Sequence, residues 1–388
     1  MGIVPPPLNN FDYFPTTRVV FGVGALAGLG ELAGELGATR VLLVTDPGLE
    51  AAGHPQRARD ALVKAGITVE IFDGVEENPT TRHVEAGVAV AQCFRPDCLV
   101  AVGGGSAMDC AKGINFLYTN GGRMHDYRGF GKATKPMLPS IGVPTTAGTG
   151  SEAQSYALIA DPETHMKMAC GDRKAAFRIA ILDPVVTITQ PRHVTADTGL
   201  DALAHAVESY VCTKRNAWSQ MLAREAWRLL SSNFLLVLEN PQDLEARAAM
   251  QLGAHLAGQA IELSMLGAAH ALANPLTAHY GVVHGLAVSL MLPHVVRYNT
   301  PAVVELYSQL MEVIGLEVRD TDSAGDLLAV HLENLRQAAG LPARLRELGV
   351  NAHILPVLAE EATQQWTGKF NPRPLNYDDF LQLYRAAY

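Results

Sequence analysis

The 388-residue sequence has no Cys-x-x-Cys pair, no basic block, no long apolar run and no leader-like start. Its five cysteines, Cys93, Cys98, Cys110, Cys170 and Cys212, are odd in number and scattered. They do not read as a disulfide framework or a thiolate zinc site, and are expected to be buried, reduced thiols. Lysine and arginine total 30 against 39 acidic residues, a formal charge of −9 without any basic stripe, so nothing points to nucleic acid. The best apolar run, GLAVSLMLPHVV, is too short to span a bilayer and contains Pro293. The opening residues MGIVPPPLNNFDYF lack both the basic region and the apolar core of a signal peptide. The expectation is a soluble, cytoplasmic protein whose partners are neither nucleic acid nor a membrane.

What is present suits two domains with a sizeable core. In the first half, short apolar runs alternate with helical patterns. TRVVFG precedes a helix near 24–36, RVLLVTD one over 55–65, ITVEIFDG one over 81–93, and CLVAVGGGS one from Ala107; LPSIGVPTT and AILDP close the series. Such alternation implies a parallel sheet covered on both faces. After Pro191 strand-like runs vanish, and 196–213, 217–239, 243–262, 302–314 and 323–339 read as helices. The expected fold is therefore α/β followed by all-α: a Rossmann-like parallel-sheet dinucleotide domain over 1–190, then a helical metal-binding domain over 191–388.

Two glycine-rich turns compete for a dinucleotide's phosphates. In FGVGALAG, Gly22, Gly24 and Ala27 fit GxGxxA between a strand and a helix, and Asp46 lies 22 residues beyond Gly24. In VAVGGGSAMDCAK, an apolar strand runs into Gly103, Gly104 and Gly105, with Ser106 as the expected helix N-cap and Asp109 three residues on. Glycines let backbone approach a diphosphate, and a helix N-terminus offers unpaired N–H groups with partial positive charge. VPTTAGTGSEAQ adds hydroxyls at Thr145, Thr146, Thr149 and Ser151 for ribose or phosphate oxygens. Asp46, ending the second strand, can accept both ribose hydroxyls of NAD and would repel the extra phosphate of NADP.

The chain also sets three histidines, His270, His279 and His284, in the small apolar stretch GAAHALANPLTAHYGVVHG. Burying imidazole costs free energy unless its nitrogens are bound, and a lone histidine is more often a satisfied core residue than a ligand. In TADTGLDALAHAVESYV, Asp201 and His205 are four apart and share a helix face, with Glu208 on much the same side. His270 and His284 lie 14 apart, and Asn274-Pro275 is expected to break the helical pattern between them. A helix end and a following turn could bring both imidazoles to one point, which with Asp201 and His205 makes one carboxylate and three imidazoles. Such a set leaves room for a substrate oxygen and suits Fe(II), Zn(II), Co(II) or Ni(II).

Together GGGSAMDCAK, PTTAGTGSE, ILDP, TADTGLDALAHAVESY and the 267–285 stretch resemble the iron-containing (group III) alcohol dehydrogenases, from FGVGAL to FNPRPLNYDDF at 370–380. The resemblance implies reversible hydride transfer between NAD(H) and a small to medium alcohol or aldehyde. It also implies an ion, Fe(II) with Zn(II) as the alternative, and a homodimer or higher homo-oligomer. It assigns the metal ligands to Asp201, His205, His270 and His284, and the pyrophosphate to Gly104, Gly105 and Ser106. Asn78, Asp109, Thr145, Thr146, Thr149 and Lys167 match positions lining the nucleotide, and Asp46 matches the ribose-reading acid. FGVGALAG becomes a structural turn.

One departure stands out. The family usually carries a histidine four residues after its third ligand, followed by PLG; here the residues are Asn274, Pro275, Leu276 and Thr277. That histidine is credited with relaying the alcohol proton, and asparagine does not titrate near neutrality. The relay would pass through His279, or through ribose hydroxyls and water. Two other readings are a metal-independent reductase similar to maleylacetate reductases and a non-catalytic NAD-binding protein.

Overall fold

The computed structural model describes residues 9–163 and 167–388, the side chain of Asp322 excepted. It divides into two compact units, one of them Phe14–Gln190 and the other Pro191–Tyr388 joined by residues 9–13. That last feature differs from the expected 1–190 domain. Asn9 Nδ2 donates to the carbonyls of Thr213 (3.2 Å) and Arg215 (2.7 Å), and the Tyr13 ring lies 4.8 Å from Trp218.

Phe14–Gln190 holds strands β1 (Arg18–Phe21), β2 (Arg40–Val44), β3 (Thr68–Phe72), β4 (Cys98–Gly103), β5 (Gly129–Phe130), β6 (Ser140–Pro144), β7 (Tyr156–Ala160), β8 (Lys167–Gly171) and β9 (Ile179–Leu182). Helices α1 (Leu29–Glu35), α2 (His54–Lys64), α3 (Thr81–Phe94) and α4 (Gly105–Asn120) alternate with them. Six strands form a parallel sheet in the order β1-β9-β6-β4-β2-β3. The central strands are apolar throughout because both faces are covered. Leu42, Val44, Leu99 and Ala101 enter one core with Ile114 of α4, while Val41, Leu43, Val100 and Val102 enter the other with Leu29 and Leu62. The chain runs outward from β2 to β3, then returns across β2 to β4 and on to β6. The carboxyl ends of β2 and β4 thus flank the point where the winding reverses, the place where open α/β sheets bind ligands.

A three-stranded sheet, β5-β8-β7, was not legible in the sequence. β7 and β8 pair antiparallel, Ala157 with Cys170 and Ile159 with Met168. Of the cysteines, Cys98, Cys110, Cys170 and Cys212 are buried and Cys93 is exposed, against the expectation for all five. Burial pushes the Cys98 and Cys170 thiols up to about 12.

The second unit is helical: α5 (Arg192–Val211), α6 (Ala217–Glu239), α7 (Leu244–Leu263), α8 (Ala268–Tyr280), α9 (His284–Val313), α10 (Ala324–Ala339), α11 (Leu355–Thr363) and α12 (Tyr377–Ala387). Asn216 and Asp243 cap α6 and α7, each accepting two backbone N–H bonds. Pro275 does not break the chain as expected: α8 runs through it and ends at Gly281, whose φ is +62°. Proline removes one helical donor, but the surrounding Leu272, Ala273 and Leu276 are fully buried, and the Tyr384 hydroxyl donates to the Leu272 carbonyl (2.6 Å). α9 begins at His284, well before the expected 302, and departs from helical geometry only at Val303. Among the described residues no helix is long and apolar enough to cross a membrane.

Candidate active site

At the end of β4 the glycines let the helix start early. The N-cap of α4 is Gly104, not Ser106 as expected, and no side chain caps the first turn. Asp109 is engaged elsewhere: its carboxylate accepts from Ser151 Oγ and lies 3.8 Å from Lys112 Nζ. Burial raises the Asp109 pKa, against lowering by Lys112, Ser151 and Lys167. Around the turn the backbone is crowded by the other expected contacts. A Cβ on Gly105 would stand 2.6 Å from Thr149 Cγ2, one on Gly104 3.3 Å from Thr146 Cγ2, and one on Gly103 3.3 Å from Asp46 Oδ2. Thr145 N donates to the Gly103 carbonyl (2.9 Å). Asp46, Gly104, Gly105, Thr145, Thr146 and Thr149 thus gather at one end of the sheet. Burial raises the Asp46 pKa while the N–H groups of Gly48 and Leu49 lower it. Asn78 stands in the left-handed region, φ +54°, just before Pro79 and α3. Lys167 opens β8 opposite Ala160.

The competing turn is already filled. Asp183, which follows β9 and is fully buried, accepts Gly24 N (3.0 Å), Leu26 N (3.1 Å) and Val185 N (3.0 Å). A carboxylate of the chain takes the N–H groups that a phosphate would need.

In the helical unit, Asp201, His205 and Glu208 follow one another on one face of α5, at positions i, i+4 and i+7. Asp201 Oδ1 lies 3.4 Å from His205 Nε2, 3.5 Å from His270 Nε2 and 3.9 Å from His284 Nε2. Asp201, His270 and His284 offer ligand atoms within 4.8 Å of one another. The His205 ring stacks on His270 with centroids 4.9 Å apart, and His284 lies 5.4 Å from His270. Asp201 Oδ1 and His270 Nε2 are buried without a hydrogen-bond partner, a costly state that a divalent cation among these donors would relieve. The residues fit such an ion.

His270 Nδ1 donates to Glu208 Oε2 (2.5 Å), which turns Nε2 toward Asp201 in the way outer carboxylates orient ligating imidazoles. Burial opposes the imidazolium of His270, but Glu208 and Asp201 outweigh it and push its pKa up to about 9. Burial likewise opposes the Asp201 carboxylate, yet the three histidines hold its pKa well below the ordinary value. The sequence signal for Glu208 is its place three residues beyond His205, on much the same side of the helix as Asp201.

Asn274 sits one turn after His270 and donates from Nδ2 to Gln365 Oε1 (2.9 Å). His279 is not brought to the cluster. Nine residues past His270, it lies on the opposite side of α8 and about 13 Å along its axis, with Nε2 2.9 Å from the Glu361 carboxylate.

Residues 15–184 match the family model for iron-containing alcohol dehydrogenase, and residues 195–388 match that for the C-terminal part of the same family. The chain is 36% identical over 382 residues to a 1,3-propanediol dehydrogenase of Klebsiella pneumoniae, covering 97% of this chain and 99% of that one. It is 33% identical over 382 residues to an NAD-dependent methanol dehydrogenase of Bacillus methanolicus, covering 98% and 100%. The crystal structure of a 1,3-propanediol oxidoreductase superposes with a TM-score of 0.95 at 36% identity, covering 98% of this chain and 100% of that one. A buried Asp/His cluster on a helical unit, an α/β unit with an uncapped glycine turn, and likeness along nearly the whole length lead to one conclusion: the chain belongs to the iron-containing alcohol dehydrogenase family.

Proposed function

We propose that this enzyme is a metal-dependent alcohol dehydrogenase and aldehyde reductase that exchanges hydride between NAD(H) and a small to medium alcohol or aldehyde. The observation that carries the reading is the cluster of buried Asp201, His205 and His270 with half-buried His284, in which Asp201 Oδ1 and His270 Nε2 lack hydrogen-bond partners. A divalent ion held there, Fe(II) or alternatively Zn(II), supplies Lewis acidity, lowering the pKa of an alcohol and polarising an aldehyde. Glu208 keeps His270 in the tautomer whose Nε2 faces the cluster. Gly104, Gly105 and Ser106 receive the pyrophosphate at the uncapped start of α4. Thr145, Thr146, Thr149, Asn78, Asp109 and Lys167 line that nucleotide, and Asp46 selects the ribose hydroxyls of NAD. Because Asn274 cannot take up a proton and His279 lies away from the cluster, the alcohol proton leaves through ribose hydroxyls and water.

A homodimer is part of the same proposal. β1 is an edge strand with Val19 and Phe21 exposed, and unpaired apolar edges invite a second copy.

The test is NADH oxidation, followed by absorbance, with a panel of aldehydes and ketones on metal-stripped protein, with and without anaerobic Fe(II). Turnover that appears only with metal supports the reading. Turnover indifferent to metal overturns it in favour of a metal-free reductase.

A further inference from the structure

The segment Phe370-Asn371-Pro372-Arg373-Pro374 is part of the family resemblance but has no role in the chemistry above. The structure pins it to two helices of its own unit. The Phe370 carbonyl accepts Thr213 N (2.8 Å) beyond the end of α5. The Arg373 guanidinium lies 4.0 Å over the Tyr298 ring of α9 and donates to the Tyr298 carbonyl (2.9 Å), while the Tyr298 hydroxyl donates to the Pro374 carbonyl (2.7 Å). Between these anchors Asn371 is turned inward and buried. Its amide pairs reciprocally with Asn299 of α9: Asn299 Nδ2 donates to Asn371 Oδ1 (2.9 Å) and Asn371 Nδ2 to Asn299 Oδ1 (2.6 Å). Asn371 Nδ2 also donates to the Arg373 carbonyl (2.6 Å).

This amide faces the start of α8. A helix leaves its first N–H groups without partners, and Gly267, the residue before Ala268, has no side chain to cap them. Two side chains from other elements do so. Ala268 N donates to Asn371 Oδ1 (3.3 Å), and Ala269 N donates to Glu208 Oε1 (2.7 Å). The other oxygen of Glu208 takes His270 Nδ1 (2.5 Å). Three consecutive residues are thus gripped, two by backbone and one by its ring. The grip is tight: a Cβ on Gly267 would lie 2.9 Å from Glu208 Oε1 and 3.1 Å from Asn371 Oδ1. Asn299, Tyr307, Glu208 and Asn371 line a small cavity beside it.

We propose that Asn371 is a positioning residue for the metal centre: braced by Asn299 and the 370–374 segment, it holds the first turn of α8 at the height where His270 Nε2 meets Asp201 and His284. The proposal rests on the reading of Asp201, His205, His270 and His284 as the ion's ligands. Asn371 is not one of the four ligands; it acts through Ala268 and the turn shared with Glu208.

The test is titration of full-length, metal-stripped protein with Co(II) under anaerobic conditions, following the visible ligand-field bands and the thermal midpoint of the apoprotein. Wild type binding one Co(II), and His270→Ala losing it, secures the site itself; if His270→Ala binds like wild type, the ligand reading fails and the positioning role with it. Given the site, Asn371→Ala weakens Co(II) binding by roughly ten- to a hundredfold, as loss of an outer partner does, and changes the ligand-field bands. Asn376→Ala, which removes the cap of α12 a few residues on, lowers the thermal midpoint but leaves Co(II) affinity and spectrum alone. Asn371→Ser, which withdraws the oxygen from Ala268 while keeping a polar side chain, gives the same loss should the alanine variant not fold. Wild-type Co(II) affinity and spectrum in a folded Asn371 variant overturn the proposal.

Discussion

Gly24 and Gly104 each stand at the start of the helical turn that follows a strand of the same sheet, and both turns look fit for phosphate. They differ in what meets their N–H groups. At Gly24 and Leu26 the buried Asp183 carboxylate is already hydrogen-bonded. At Gly104 and Gly105 no side chain caps the helix, and Thr146, Thr149 and Asp46 stand around the glycines instead. A glycine turn at a helix start is therefore a potential anion site whose use depends on whether the protein supplies its own anion. In this sheet the first turn is a joint between β1 and β9, and the second has no side-chain cap of its own.

The largest expected effect breaks that contrast at the open turn. Gly105→Val puts side-chain atoms onto Thr149, whose Cγ2 would lie 2.6 Å from the new Cβ, and closes the backbone to a diphosphate. NAD affinity measured by calorimetry falls at least about a hundredfold, by analogy with the loss of two charge-assisted bonds. Gly24→Ala leaves that affinity unchanged and destabilises the fold by about 1–2 kcal/mol, because φ there is +77°. An equal loss of NAD affinity in both variants would erase the distinction between the turns.

Asp183→Ala comes next. It leaves the N–H groups of Gly24, Leu26 and Val185 without an acceptor. Urea unfolding shows a loss of about 2–4 kcal/mol, while NAD affinity of the folded protein stays within about twofold of wild type.

Asp46→Gly sharpens the open side of the contrast. Removing the carboxylate at the β2 end withdraws acceptors for ribose hydroxyls and repulsion toward a 2′-phosphate. The ratio of kcat/KM for NADH over NADPH drops by roughly tenfold or more. An unchanged ratio would remove Asp46 from the nucleotide site.

The smallest effect concerns a partly exposed version of the Asp183 device. Burial raises the Asp97 pKa, but the Thr39 hydroxyl and the N–H groups of Arg40 and Thr39 outweigh it and hold it below its ordinary value. The stability it contributes is present above the ordinary carboxylate range and is lost as pH falls through the folded value. Asp97→Asn flattens the acid limb of the stability profile by less than about 1 kcal/mol, measured as urea midpoints against pH.

The sequence was most legible where one local pattern had one meaning. Strands buried on both faces read as the apolar runs RVLLV and CLVAVG, and α6 follows its periodicity from the Asn216 cap. The i, i+4 pair Asp201 and His205 is a local fact of α5. Legibility failed where a distant partner overrode a local signal. Pro275 reads as a breaker, but packing around Leu272 and Leu276 carries α8 past it. Ser106 reads as a cap, but three glycines move the helix start to Gly104. β7 and β8 are short and pair with each other, and β8 also with the two-residue β5, so alternation alone did not announce them.

By itself, then, the sequence determined the layering of the α/β unit, the helical character of the chain beyond Pro191, and the donor types available to a cation, since these depend on residues close together in the chain. The family resemblance already made FGVGALAG a structural turn, but only the tertiary structure shows why its N–H groups are taken, because the carboxylate that takes them, Asp183, arrives from far along the chain. The tertiary structure also decided how His270 is aimed, because Glu208 comes from α5 and Asn371 from the C-terminal segment. Burial makes these choices firm: with water excluded, each N–H and imidazole nitrogen must find its partner inside the protein.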